Sequence, residues 1–167
     1  MDSQLTAARR RVVTWDDPLE LAAASAGRSG LEFLQAMVRG ELPPPPIAQL
    51  VQLTIAEVQG GRVVFRVEPS ESMYNPIGTV HGGIHATVLD SALGCAVHST
   101  LPAGAGYTTL ELKVNYVRAF TVDSGAALAE ATVVHRGSRQ ATAEARLTRE
   151  ADGKLLAHAT TTCLVLA

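Results

Sequence analysis

A chain of 167 residues is long enough for one domain with a real core and leaves little room for a second. Its 47% hydrophobic and 18% charged residues suit a globular protein in water, and a net charge of −2 gives no basic field for tracking a nucleic-acid backbone. No apolar run reaches the roughly 18 residues that span a bilayer, which argues against a membrane role.

Arg9, Arg10 and Arg11 stand near the start, but no apolar stretch follows them to form a signal peptide. Asp17 is placed to cap a short helix over Pro18 to Ala26, which Gly27 to Gly30 then breaks. Leu31, Phe33, Leu34, Met37 and Val38 recur at helical spacing, and Gly40 stops this second helix. Pro43 to Pro46 reads as an extended, rigid spacer, because each ring fixes φ and removes a backbone donor. Residues 1–46 therefore form a helical lead-in, and 47–167 form the main domain.

Beyond Leu50 the pattern is mostly strand. Leu53–Val58 and Arg62–Val67 flank Gly60-Gly61, a hairpin signal. His81–Ser99 breaks the run of strands, with Ile84, Val88, Ala92 and Cys95 at helical spacing and many small residues between them. In Gly106–Ala119, Leu110, Leu112, Val114 and Tyr116 alternate with Glu111, Lys113 and Asn115, as in a half-buried strand; Thr108 shares the phase of Leu110. Turns at Asp123-Ser124-Gly125, Arg136-Gly137-Ser138 and Asp152-Gly153 separate three more strands, so neighbours are antiparallel. The layout is α+β, with one long helix against an antiparallel sheet. Aromatics make up only 4% of the chain, so the core is built from Ala, Val and Leu, which lets a sheet wrap closely around a helix.

The chemistry concentrates in Asn75-Pro76-Ile77-Gly78-Thr79-Val80-His81-Gly82-Gly83, followed by Leu89-Asp90. First-turn amides of a helix have no intrahelical acceptors, and the helix dipole adds partial positive charge there. A carbonyl oxygen at the Gly82 N–H would be polarised; losing one such donor commonly costs about 3 kcal/mol of barrier. Asp90 lies in an apolar segment, where a carboxylate is costly unless partnered and is well suited to act as a general base. It stands roughly 12 Å along the helix from Gly82. That offset is too long for one chain to bring both groups to one site easily, whereas a two-fold dimer could do so.

With its glycines, His81 and Asp90, this run resembles the signature of the phenylacetic-acid-degradation type of hotdog thioesterases. The likeness extends to Gly106-Tyr107-Thr108-Thr109, Asn115-Tyr116-Val117-Arg118, the Arg136-Gly137…Arg139 turn and the Gly40-Glu41-Leu42-Pro43 lead-in. It implies a hotdog fold, a homodimer or homotetramer with sites shared between subunits, and hydrolysis of an acyl-coenzyme A thioester. Residue by residue, it implies Asp90 as base or nucleophile, the Gly82 amide as carbonyl polariser and Asn75 near the water or thioester. His81 is then a positioning residue and Thr108 a hydroxyl near the carboxylate. Gly83, Arg136 and Arg139 are candidates for binding substrate, the arginines through coenzyme A phosphates. Aryl-acetyl, aroyl and medium-chain acyl groups all fit.

Other readings of the same residues carry less. His81 and His85 are four apart, as in many zinc sites, but no third ligand is evident and no metal or other cofactor is expected. Cys95 reads as core rather than as a nucleophile, and Cys95 and Cys163 suggest a reduced, cytoplasmic chain. The rivals to a thioesterase are a non-catalytic acyl-CoA-binding hotdog protein and a hotdog enoyl-CoA hydratase, whose His-and-acid motif is absent.

Overall fold

The computed structural model describes residues 8–166; residues 1–7 of the lead-in and Ala167 of the main domain lie outside the described residues. Three short helices come first: α1 (Pro18–Ala23), α2 (Gly30–Val38) and α3 (Pro46–Leu50). Asp17 accepts the Leu19 N–H at 2.8 Å to cap α1, which ends at Ala23 rather than Ala26, its last residues forming a turn. Ser29 and Glu32 form a reciprocal capping box that fixes where α2 begins. Of its helically spaced residues, Leu34 enters the core, Met37 packs against the core and Val38 turns outward.

The proline run is not extended throughout. Pro45 is extended, but Pro46 opens α3. A proline at the first helical position loses nothing, because that N–H has no helical acceptor and its fixed φ already suits the helix. Leu34 from α2 and Ala48 from α3 join one core with the strands, so the lead-in and the main domain share their interior.

The sheet contains β1 (Leu53–Gln59), β2 (Arg62–Val67), β3 (Gly106–Tyr116), β4 (Ala127–Arg136), β5 (Gln140–Arg149) and β6 (Leu155–Leu166). Its order is β1-β2-β4-β5-β6-β3, with all pairs antiparallel. The 17-residue helix α4 (Gly82–His98) lies across the inner face, capped by His81 and Ser99. Val88, Leu89, Ala92, Leu93, Ala96 and Val97 are all buried, so the helix is apolar nearly all round. Opposite them the sheet presents Ala127, Ala129, Ala131, Ala143, Ala145 and Ala159, each buried. Their small side chains let the helix sit close to the strands. This is the hotdog arrangement, and its longest unpaired edge is the 11-residue β3.

Candidate functional site

The N-terminus of α4 is organised by two side chains. Asn75 Oδ1 accepts the N–H groups of Ile77 (3.1 Å) and Thr79 (3.2 Å), while its amide donates to Thr79 Oγ1 at 3.0 Å. These bonds hold the turn that delivers the chain to the helix. His81 Nδ1 accepts the Gly83 N–H at 2.8 Å, so that amide is occupied and Gly83 offers a ligand no backbone donor. The Gly82 N–H has no acceptor among the described residues. Tyr116 donates its hydroxyl to the Gly82 carbonyl at 3.1 Å, and a Cβ on Gly82 would meet the Tyr116 ring at 3.2 Å. Gly82 lines a cleft of about 360 Å³ together with Asn75, Ile77, His85, Tyr116 and Val117.

Asp90 opens onto a different cavity, of about 1000 Å³. Its Oδ1 accepts a hydrogen bond from the Thr109 hydroxyl at 2.9 Å. The expectation that Thr108 would stand beside this carboxylate is corrected here. A β-bulge between Thr109 and Glu111 inserts Leu110 into β3 without a partner on β6. The insertion shifts the alternation by one, so Tyr107 and Thr109 point inward with Leu112 and Val114, while Thr108 and Leu110 are exposed. Tyr107 also lines the Asp90 cavity, and its phenol lies where a Cβ on Gly94 would be, 2.6 Å from the hydroxyl. The Thr-Thr pair was visible in the sequence, but the bulge that chooses between its members was not.

Cys95 borders the same cavity and is partly buried. Burial, with the charge of Asp90 adding to it, pushes the thiol pKa up to about 12, which removes the thiolate that a nucleophile needs. His85 Nδ1 lies 3.3 Å from the His81 carbonyl, and no group of three or more His, Cys, Asp or Glu side chains converges among the described residues. Arg118 donates to the Leu155 carbonyl at 2.6 Å and so secures β6. Arg136 and Arg139 lie at the β4–β5 turn. Ladder pairing puts Arg136 in one row with Ala141, Cys163 and Thr109. Three strand spacings, about 14 Å, separate that arginine's backbone from Thr109.

Within one chain, then, the free Gly82 amide and the Asp90 carboxylate occupy separate cavities. Residues 77–156, which carry both groups, match the thioesterase superfamily. A provisionally named esterase of Halobacterium salinarum is 31% identical over 122 residues, covering 70% of this chain and 79% of that protein. Human acyl-coenzyme A thioesterase 13 is 29% identical over 108 residues, covering 65% of this chain and 76% of its own. Among solved structures, a phenylacetic acid degradation-related protein from Ralstonia eutropha JMP134 superposes with a TM-score of 0.71 at 31% identity, covering 78% of this chain and 98% of that one. This chain belongs to the thioesterase superfamily and is a thioester hydrolase.

Proposed function

We propose that the protein hydrolyses acyl-coenzyme A thioesters to free coenzyme A and a carboxylic acid, at a site built from two copies of the chain. The thioester oxygen accepts the Gly82 N–H of one copy, where the dipole of α4 adds to the polarisation. Asp90 of the other copy takes the proton of a water as that water attacks the carbonyl carbon, or attacks the carbon itself, breaking the C–S bond to release the coenzyme A thiolate, which solvent protonates, and leaving an anhydride that water then opens. On the water route, the tetrahedral intermediate collapses as the C–S bond breaks, and the proton passes to the departing sulfur.

Thr109 holds one oxygen of the Asp90 carboxylate and leaves the other free to act. Asn75 and His81 shape the turn so that only the Gly82 amide remains open. Arg136 and Arg139 supply positive charge for the coenzyme A phosphates. The exposed β3 edge offers the partner a strand to pair with.

The observation that carries this reading is the unpaired Gly82 amide in one cavity and the Thr109-bound Asp90 in another. The test is thiol release from a panel of acyl-CoAs. Asp90→Asn keeps the shape and removes the base or nucleophile, so kcat falls by about a hundredfold or more while substrate still binds. Retention of most of the turnover would remove Asp90 from the mechanism.

A further inference from the structure

The Asp90 cavity is enclosed by the domain's regular elements and by one irregular stretch. β1, β2 and α4 supply Leu53, Phe65 and Cys95, α2 and α3 add Met37 and Ala48, and the stretch Arg11–Thr14 of the lead-in supplies the rest of the enclosure. That stretch belongs to no helix or strand, yet it is tied in place. Arg11 donates from Nη1 to the Leu50 carbonyl at 2.8 Å and from Nη2 to the Gln49 carbonyl at 2.6 Å. Both carbonyls lie at the C-terminal end of α3, where the helix supplies no donors of its own, so the guanidinium satisfies two orphan acceptors at once. Arg9 adds an ion pair with Glu71. Val13, half-buried, lines the cavity together with Met37 and Ala48.

The lining also says what fits. Val12, Val13, Met37, Leu53 and Phe65 belong to the apolar part of a lining that is otherwise polar. Arg66, the cation beside Glu68, is already paired with Glu68 at 2.8 Å and Glu150 at 3.0 Å. Both carboxylates compete with any further one at the far end of an acyl chain. A volume of about 1000 Å³ is at the upper end for a small-molecule site.

Building on the thioesterase reading above, we propose that the Arg11–Thr14 strap is a specificity-determining wall that sets how long an acyl chain the Asp90 cavity can take. The strap makes no contact with the reacting atoms. It sets how much acyl group can be buried, and so the ratio of kcat/KM between long and short thioesters.

The test uses the full chain with Val13→Phe, Val13→Ala and Arg11→Ala. Val13 is half-exposed and outside the buried core, so the fold tolerates both substitutions there. Phe fills the cavity from the strap side, and the decanoyl-to-acetyl ratio of kcat/KM falls about tenfold or more, as expected when the apolar part of a pocket refuses a few methylenes. Ala widens the cavity and moves the ratio the other way. Arg11→Ala frees the strap and lowers the ratio as well.

Trp15, the only tryptophan and one residue past the strap, gives a readout that needs no turnover. Decanoate changes its emission saturably in the parent protein, Val13→Phe weakens that binding about tenfold, and Arg11→Ala lowers its anisotropy in the absence of ligand. If no acyl-CoA is hydrolysed but decanoate binding responds as described, the thioesterase reading fails and the strap stands. If acyl-CoAs are hydrolysed while the ratio is unchanged in all three variants, the strap is not a specificity wall.

Discussion

At the scale of single residues, the Thr109–Asp90 bond is the most informative contact in the molecule. Asp90 stands on a helix whose neighbouring turns are apolar, and the 2.9 Å bond from the Thr109 hydroxyl fixes one of its oxygens. Thr109→Val removes that bond at nearly constant volume and lets the carboxylate turn. We expect kcat to fall about tenfold with KM little changed, the effect of misplacing a base rather than losing a binding contact. Thr108→Val, one residue away on the exposed face, leaves the kinetics as they were; if the two variants behave alike, the bulge does not matter for catalysis. The turn before α4 and the places of Gly82 and Asp90 on that helix were legible in the sequence, because glycines mark its start and apolar residues recur along it at helical spacing. The choice of Thr109 over Thr108 was not, since a bulge displaces side chains without altering the apolar alternation that precedes and follows it.

At the scale of elements, the question is how the lead-in is fastened to α4. Gly30 donates its N–H to the Leu101 carbonyl at 3.1 Å, and a Cβ there would lie 1.8 Å from the His98 carbonyl oxygen. Backbone cannot yield to such a clash, so Gly30→Ala lifts α2 off the end of α4. A loss of about 3 kcal/mol in urea unfolding is expected, at the upper end for overpacking. The control Gly60→Ala, which meets nothing within 4 Å, stays within about 0.5 kcal/mol. A comparable cost for both would refute the wedge.

Two imidazoles of α4, one of them at this junction, should make stability depend on pH. His98 lies between the Phe33 and Tyr107 rings, and His85 lies between Tyr116 and Phe120; burial holds both imidazoles below their ordinary range. The unfolded chain therefore takes up protons near pH 6.5 that the fold refuses. Their contribution is complete above that pH and is lost as pH falls from about 6.5 towards the folded values. The urea midpoint should drop between pH 7 and 5, before the exposed carboxylates begin to titrate, and His98→Gln should flatten part of that slope. A midpoint constant to pH 5 would show that neither ring is buried in solution. The α4 boundaries and strand positions were readable from glycines, turn pairs and small residues. The docking of α2 was hidden, because the fit of Gly30 depends on a backbone atom 68 residues further along the chain.

At the scale of the whole molecule, the proposed site makes a prediction that no single chain could satisfy. Asn75 holds the turn that presents Gly82, and Asp90 lies about two helical turns beyond, in another cavity. If Gly82 of one copy works with Asp90 of the other, Asn75→Ala and Asp90→Asn homodimers are each nearly inactive. In a mixed dimer, two-fold symmetry puts both lesions into one site and leaves the other with Asn75 and Asp90 intact. Random exchange makes about half of all dimers mixed, so about a quarter of all sites are whole. Mixing the two inactive proteins under exchanging conditions then restores activity to about that fraction of the parent, and native mass spectrometry of differently tagged chains shows whether exchange took place. A site drawn from one chain would carry one lesion in every copy and recover nothing. Exchange without recovery therefore rules out the shared site, and it would leave the free Gly82 amide and the Asp90 carboxylate needing some other route to a common substrate.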